Sequence, residues 1–201
     1  RVRAVASSHD LSAQRLYIQA GMVPRFPLYG IEGAAQGLSK LPTPRTSATE
    51  LIRTTEASKT WIGKLGELDE TIWGRRRDRE HRLWSELGLH CLALTEGRGR
   101  LLAYAYHSSA ATPAPWSGLP FRIGPVAARN SRHQLVLLHA IGDAMNDHAG
   151  ATVEFRVPGI NMTVLSALLS AGFKIDHIGH FMASRSFGHF DRYLPSGGTL
   201  L

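Results

Sequence analysis

The chain has 201 residues, a formal net charge of +7 and 43% hydrophobic residues, which is enough apolar material for a full core and excludes a disordered protein. It has no signal-like apolar start and no apolar run of the roughly 18 residues that a membrane-spanning helix needs. The basic charge favours a partner that carries phosphate groups. Cys91, the single cysteine, is expected to be buried, and one cysteine fits a reducing compartment, so we expect a cytoplasmic protein.

Two segments of the chain repeat one another. Residues 8–22 align without gaps on residues 159–173, at an offset of 151 residues. This offset is the length of a domain and not of a solenoid repeat. The sequence therefore predicts a duplicated fold, and we expect the chain to begin partway through the first copy.

Each copy is predicted to form a strand, a helix and a second strand. Asp10 and Asn161 are typical helix N-caps, and Gly21 and Gly172 are typical helix stops. The apolar residues at helical spacing are Ala13, Leu16, Tyr17 and Ala20 in the first copy and Val164, Ala167, Leu168 and Ala171 in the second. Those that alternate ahead of each helix, as in a strand, are Val2, Ala4, Ala6 and Val153, Phe155, Val157.

The segment between the copies is interpreted as a linker. Residues 30–47 are rich in glycine, proline, serine and threonine, and Pro42 and Pro44 disfavour regular structure. The predicted organisation is the C-terminal part of a first lobe over residues 1–32, a linker over 33–48 and a complete second lobe over 49–201.

The second lobe opens with two predicted amphipathic helices, one around residues 61–73 and one around residues 83–87. Residues 75–82, which join them, include five arginines and mixed charge. A solvated helix face is the simpler interpretation of this run, and a site for phosphate or an acidic partner is the alternative.

The remainder of the lobe is predicted as strands and helices in a fixed order. They are a hairpin of residues 89–95 and 100–107, a strand over 121–127, an apolar helix over 135–148, the strand at Val153, the capped helix at Asn161 and a closing strand over 174–182. This order predicts an α/β fold with a mixed sheet and helices on its faces.

The order of elements, together with the asparagine, leucine, glycine and phenylalanine signature from Asn161 to Phe173, resembles the GNAT superfamily of acetyl-CoA-dependent N-acetyltransferases. The tail over residues 187–198 is similar to the C-termini of tandem GNAT proteins. The resemblance implies a GNAT fold, with one complete lobe and the C-terminal part of a preceding one. It also implies transfer of an acetyl group from acetyl-CoA to an amine.

The resemblance implies a cofactor-binding region at one helix N-terminus. In this family a splayed strand, the following loop and the helix N-terminus hold the pyrophosphate of coenzyme A through backbone N–H groups. The corresponding residues here are Val126, Ala127, Arg129, Asn130, Arg132 and, on the next helix, Asn161. Because residues 129–134 contain no glycine, side chains would crowd the phosphate, and we expect the second lobe to bind acetyl-CoA weakly or not at all.

A tyrosine on the last helix often protonates the departing thiolate in this family. Tyr17 holds that position in the first copy, whereas Leu168 holds it in the second and can donate no proton. We therefore expect catalysis in the first lobe, with Tyr17 as the acid. The alternative is that the second lobe is a catalytically silent structural or regulatory module.

Other polar residues are explained more simply by structure than by catalysis. Glu154 is a candidate base on a strand, with an exposed or salt-bridged carboxylate as the alternative. Tyr104, Tyr106 and His107 lie on the strand that lines the acceptor cleft in GNAT folds, where packing is the simpler role. The chain has neither a His-Glu-x-x-His motif nor a Cys/His cluster, so we expect no metal.

The expected partners are an amine substrate, either a small molecule or a protein amine, and the rest of the first lobe. We expect no membrane contact. Polyanion binding through the arginine run is a third and weaker hypothesis, and no nucleic-acid partner is expected. Homo-oligomerisation is left open.

Overall fold

The computed structural model describes residues 3–43, 49–54, 59–97, 99–109 and 121–197. The strands in these ranges are β1 (Arg3–Ser7), β2 (Val23–Ala34), β3 (Thr49–Thr54), β4 (His90–Glu96), β5 (Arg100–His107), β6 (Phe121–Ala128), β7 (Thr152–Pro158), β8 (Lys174–Ala183) and β9 (Tyr193–Leu194). The α-helices are α1 (Leu11–Gln19), α2 (Lys59–Trp73), α3 (Asp78–Glu86), α4 (Ser131–Ala144) and α5 (Met162–Ser170). Short 3₁₀ helices span Ala35–Lys40, Asn146–His148 and Phe190–Arg192. None of the helices in these ranges is long and apolar enough to cross a membrane.

One mixed sheet connects all of these strands. Its order is β1-β8-β2-β7-β6-β5-β4-β3, and β9 pairs with β6 beside this path. Strands β6 and β7 are parallel, and the other pairs are antiparallel. The predicted α/β fold with a mixed sheet is therefore confirmed.

The sheet separates two apolar cores. On β4, Leu92 and Leu94 face the core that contains α4 and α5, whereas Cys91 and Ala93 face the core that contains α2 and α3. Both faces are covered, which explains why this strand is apolar throughout. Cys91 is buried, as predicted, and burial raises the pKa of its thiol to about 12.

The predicted repeat is present in the structure at the same offset. Helix α1 spans residues 11–19 and α5 spans residues 162–170, and the strands that follow them begin at Val23 and Lys174. Both cap residues behave as predicted. Asp10 Oδ1 accepts a hydrogen bond from the Ala13 N–H at 2.8 Å, and Asn161 Oδ1 accepts one from the Val164 N–H at 3.4 Å.

The two helix stops also have matching backbone conformations. Gly21 has a φ of 78° and Gly172 a φ of 94°, in the left-handed region that only glycine adopts without strain. The strand, helix and strand predicted from the first residues are confirmed.

The two copies exchange strands. Strand β8, which follows the helix of the second copy, lies between β1 and β2 of the first copy. Strand β2, which follows the helix of the first copy, lies between β7 and β8 of the second. Leu28 in β2 accordingly pairs with both Pro158 and Gly179. Each copy thus contributes a strand to the interior of the other, and the boundaries of the predicted lobes stay a prediction.

The linker prediction is wrong for residues 33–40. Strand β2 continues to Ala34, and residues 35–40 form a 3₁₀ helix. Ala35, Leu38 and Leu41 recur every third residue and are buried in the core beside α4. Because a 3₁₀ helix has about three residues per turn, this spacing places them on one face. Their apolar period was masked by the surrounding glycine and serine residues.

Candidate functional site

The space between β6 and β7 is the part of the fold that corresponds to the predicted cofactor region. These strands pair only near their starts, at Phe121 with Val153 and Arg122 with Glu154. Farther along, β6 pairs instead with β9, Val126 opposite Leu194 and Ala127 opposite Tyr193. We call the space between the diverging strands the β6–β7 slot. Residues 193–197 of the same chain lie in it, and we call them the strap.

Close backbone contacts hold the strap at the inner end of the slot. A Cβ atom on Gly124 would lie 2.6 Å from the Pro195 carbonyl oxygen, so a larger residue would displace the strap. The buried Arg122 donates from Nε to the Ser196 carbonyl oxygen at 2.6 Å. These contacts place the strap against the backbone and side chains of β6.

A cluster of charges surrounds Arg122. Its Nη1 lies 2.6 Å from Glu154 Oε2, and Glu154 also pairs with Arg156. Burial and the charge of Arg156 lower the pKa of Arg122 to about 10, although Glu154 opposes this shift. The salt-bridged alternative for Glu154 is therefore confirmed.

The start of α4 differs from the prediction. The helix begins at Ser131 and not at Leu135, so most of the predicted cofactor loop is helical. Asn130 is the N-cap: its Oδ1 accepts from the Arg132 N–H at 2.9 Å, and its carbonyl oxygen accepts from the His133 N–H at 2.9 Å. The asparagine, a strong N-cap residue, explains the early start. Two of the backbone N–H groups of the predicted cofactor region, those of Arg132 and His133, thus already have partners.

The other predicted cofactor residues are also engaged within the protein. Arg129 donates its backbone N–H to the Leu102 carbonyl oxygen at 2.8 Å and its Nε to the Leu101 carbonyl oxygen at 3.0 Å. Val126 and Ala127 are fully buried, and the Arg132 side chain is exposed. The structure thus brings these residues together around the end of β6, where Asn130 and Arg132 are exposed to solvent.

Asn161 links the elements beneath this region. Its side chain is fully buried, and its Nδ2 donates to Gln134 Oε1 at 2.9 Å. Gln134 Nε2 in turn donates to the Val126 carbonyl oxygen at 3.4 Å. These hydrogen bonds connect α5, α4 and β6, so the role that the structure shows for Asn161 is to link these elements.

Tyr17 lies far from this region in the sheet. It packs beside Ala6, Met22 and Met182, next to β1, whereas β8, β2 and β7 separate β1 from β6. The equivalent Leu168 is fully buried in the core beside α4. The structure therefore does not bring Tyr17 together with the cofactor residues predicted on the second copy.

A buried charge network under α2 and α3 is not predicted by the sequence. Arg77 is 2% exposed, whereas the charge pattern of residues 75–82 favours a solvated helix face. Its Nε and Nη2 contact both carboxylate oxygens of Asp69, at 2.8 and 3.1 Å. Its Nη1 and Nη2 donate to the hydroxyl oxygens of Tyr193 and Tyr104, at 2.6 and 2.7 Å. The solvated-face interpretation holds for Arg75 and is wrong for Arg77.

His81 belongs to the same network and is also fully buried. Its Nε2 lies 2.9 Å from Asp69 Oδ2, and its Nδ1 lies 3.1 Å from the Tyr106 hydroxyl oxygen. Burial raises the pKa of Asp69, but the charge of Arg77 and the hydrogen bonds from His81 and Arg77 outweigh it and hold that pKa below its usual value. Tyr104 and Tyr106 are buried, which confirms their predicted packing role.

A separate cavity of about 280 Å³ lies near the other end of α4, with His90, His107, Met145 and His148 in its lining. The rings of His90 and His107 stack with centroids 5.1 Å apart. Burial lowers the pKa of His107 to about 4, which keeps it neutral at physiological pH. Among the described residues, no group of three or more His, Cys, Asp or Glu side chains is arranged to hold a metal ion.

No protein-family model matches this chain, and no curated protein matches it. Solved structures do match. A proposed acetyltransferase of Pyrococcus horikoshii has a TM-score of 0.62 and 18% identity, over 95% of this chain and 56% of that protein. A GCN5-related N-acetyltransferase of Sphaerobacter thermophilus has a TM-score of 0.55 and 18% identity, over 94% of this chain and 61% of the other. A tandem GNAT protein from the clavulanic acid biosynthesis pathway has a TM-score of 0.57 and 12% identity, over 90% of this chain and 62% of that protein.

These similarities confirm the predicted fold. The chain has the GNAT fold, and its structural neighbours include both GNAT acetyltransferases and a tandem GNAT protein. It spans 56% of the length of the Pyrococcus protein.

Proposed function

We propose that this chain is the C-terminal part of a tandem GNAT acetyltransferase that transfers an acetyl group from acetyl-CoA to an amine, on a small molecule or a protein. The reciprocal exchange of strands carries this proposal. Strand β8 completes the sheet of the first copy, and β2 completes that of the second. Because each copy supplies an interior strand of the other, the second copy supports the first whether or not it binds substrate itself.

In this proposal the first lobe performs the chemistry. The amine nitrogen attacks the thioester carbonyl carbon, the C–N bond forms, the C–S bond breaks, and the departing thiolate takes a proton. Tyr17 is the proposed donor of that proton. It is half-buried beside Ala6, Met22 and Met182.

The first-lobe face around α1 is the proposed contact surface for the rest of that lobe. None of the residues of α1 is buried, and Leu11 and Leu16 are 74% and 62% exposed. Strand β1 lies at the end of the sheet order. An apolar helix beside an edge strand favours a partner that buries both.

The Tyr17→Phe substitution, in the protein that contains both lobes, tests the catalytic role. We expect turnover to fall by roughly ten- to a thousand-fold, as for the loss of a positioned acid. Tyr29→Phe is the matched control, because Tyr29 is also half-buried but packs against the core that contains α4 and α5. Unchanged turnover in Tyr17→Phe would place the proton donor elsewhere.

A second proposal concerns the complete lobe, which we infer to be catalytically silent and structural. The cap at Asn130 supports it, because the N–H groups of Arg132 and His133 are already bonded within the protein. Leu168 supports it as well, because it offers no proton. Calorimetry on this chain should show no acetyl-CoA binding in the micromolar range; a micromolar affinity, about 8 kcal/mol, would contradict a silent lobe.

A further inference from the structure

We infer that the strap, residues 193–197, is an internal occupant of the β6–β7 slot that excludes acyl-CoA from it. This inference rests on the proposed function, since acetyl-CoA is the ligand that the slot would otherwise take. It goes further by assigning the exclusion to one segment of the chain, in addition to the capped start of α4.

The slot exposes a strand edge that an extended chain can pair with. Beyond Arg122, β6 is no longer paired with β7, and β9 pairs with it at Val126 and Ala127. An unpaired strand edge presents backbone N–H and C=O groups that bind any extended chain carrying amides. The pantetheine arm of coenzyme A is such a chain. The strap and an acyl-CoA therefore compete for the same backbone groups of β6.

Buried contacts anchor the strap along its length. Tyr193 is fully buried and accepts a hydrogen bond from Arg77, and Leu194 is fully buried in the core beside α4. At the inner end, the Ser196 carbonyl oxygen accepts from Arg122. Just before the strap, the ring of Phe190 packs against that of Phe26, with centroids 4.9 Å apart. Because the strap makes buried contacts at both of its ends, it is fixed within the slot along its length.

Occupation of the slot lowers the apparent affinity for any ligand that needs it. The apparent dissociation constant equals the intrinsic one divided by the fraction of molecules whose slot is open. If roughly one molecule in a hundred is open, the affinity falls about a hundredfold. Removal of the strap should therefore raise acetyl-CoA affinity even though the start of α4 is unchanged.

Three shortened chains test this exclusion. A chain that ends at Leu194 lacks the residues against Gly124 and Arg122, and a chain that ends at Arg192 lacks the whole strap. A chain that ends at Gly197 keeps the strap and is the matched control. Acetyl-CoA binding is measured by calorimetry, and backbone hydrogen exchange is followed at Val126, which pairs with Leu194 of the strap.

The expected affinities follow the amount of strap removed. The control should match the full chain, and the chain that ends at Leu194 should bind acetyl-CoA about tenfold more tightly or better. The chain that ends at Arg192 should bind more tightly again and should exchange the Val126 amide faster, with acetyl-CoA restoring its protection. A folded chain ending at Arg192 with an exposed Val126 amide and unchanged affinity would overturn the inference.

The Tyr193→Phe variant of the full chain keeps the test decisive if the shortest chain does not fold. It retains the buried ring and loses only the hydrogen bond to Arg77. We expect faster exchange at Val126 and a rise in acetyl-CoA affinity, and an unchanged exchange rate together with an unchanged affinity would overturn the inference. The outcome is independent of Tyr17→Phe: unchanged turnover there would refute the catalytic proposal and leave the strap result standing.

Discussion

Arg77 and Asp69 form a two-point ion pair in the interior of the protein, with distances of 2.8 and 3.1 Å between their nitrogen and oxygen atoms. Asp69 lies in α2, and Arg77 lies immediately before α3, so the pair fixes the angle between these helices. The same guanidinium lies over the rings of Trp73 and Trp84, at 5.0 and 5.1 Å. Through its bond to Tyr193 it also connects both helices to the strap.

Removal of Arg77 should strongly destabilise the fold. Arg77→Met leaves Asp69 buried without its counter-charge, and the expected loss in the free energy of unfolding is about 3–5 kcal/mol. Urea unfolding at neutral pH measures it. Arg75→Met is the matched control: the Arg75 side chain is 50% exposed in its pair with Glu80, and its loss should be under about 1 kcal/mol. Equal losses in the two variants would mean that the buried pair adds nothing specific.

Local signals in the sequence predicted most elements of the fold. Asp10, Asn161, Gly21 and Gly172 have the predicted roles, because caps and stops depend on a few neighbouring residues. The hairpin of β4 and β5 is also where it was predicted. The duplication was visible because the second copy repeats the same local plan.

Features that depend on distant parts of the chain were not predictable. The exchange of β2 and β8 pairs residues about 150 positions apart, and no local pattern specifies which copy receives a strand. Strand β9 has only two residues, too short for a periodic signal. Arg77 stands in a charged run, and its burial depends on Tyr104 and Tyr193; Asp69 on the apolar face of α2 was the one available signal.

For the candidate site, the sequence identified the region but not which of its groups are already bonded within the protein. The sequence shows that residues 129–134 contain no glycine, and the structure adds that Asn130 caps the helix there. The sequence could not predict that the strap fills the adjacent slot, because Val126 and Leu194 are far apart in the chain. The roles of Tyr17 and the predicted cofactor residues stay predictions.

His107 should make the stability of the protein depend on pH. Burial, with smaller effects from His90 and Arg53, lowers its pKa to about 4, against the usual 6.5 or so of an unfolded chain, although its bond to the Ser108 carbonyl opposes this. The unfolded state therefore takes up a proton first as pH falls. The contribution of the neutral His107 to the free energy of unfolding is fully present above about pH 6.5. It is lost progressively toward about pH 4, by about 3 kcal/mol in total.

Urea unfolding of the parent chain and of His107→Gln, at several values between about pH 7 and pH 4, measures this contribution. The glutamine variant has no proton to take up at this position, so its unfolding free energy should fall less steeply over the interval. Parallel pH curves for the two proteins would show that His107 titrates normally in the folded state.

Two helical glycines should respond in opposite ways to alanine. In α2, a Cβ on Gly63 would meet no atom within 4 Å, so Gly63→Ala should raise the free energy of unfolding by about 0.5–1 kcal/mol through helix propensity. In α4, a Cβ on Gly142 would lie 2.6 Å from the Leu38 Cβ and 3.0 Å from the Ser39 nitrogen. Gly142→Ala should therefore lower the free energy of unfolding by about 1–3 kcal/mol.

Thermal and urea unfolding of both glycine variants measure whether the free energy of unfolding rises or falls as expected. The comparison also tests the structured segment that replaces the predicted linker, because Gly142 is where α4 contacts residues 35–40. A stabilised Gly142→Ala variant would mean that this segment does not pack against α4 in solution.

The two equivalent positions of the repeat should differ in their importance for stability. Leu168 is fully buried among the residues of α4 and the sheet, so Leu168→Ala removes packed atoms and leaves a cavity, with an expected loss of about 2–5 kcal/mol. Tyr17→Phe keeps the ring against Met22 and Met182 and removes only a hydroxyl, so the change in this chain should be within about 0.5 kcal/mol. Urea unfolding of the two variants measures both values. A Tyr17→Phe variant that lost as much stability as Leu168→Ala would show that its hydroxyl has a structural role, and a fall in turnover could then no longer be attributed to the loss of a proton donor.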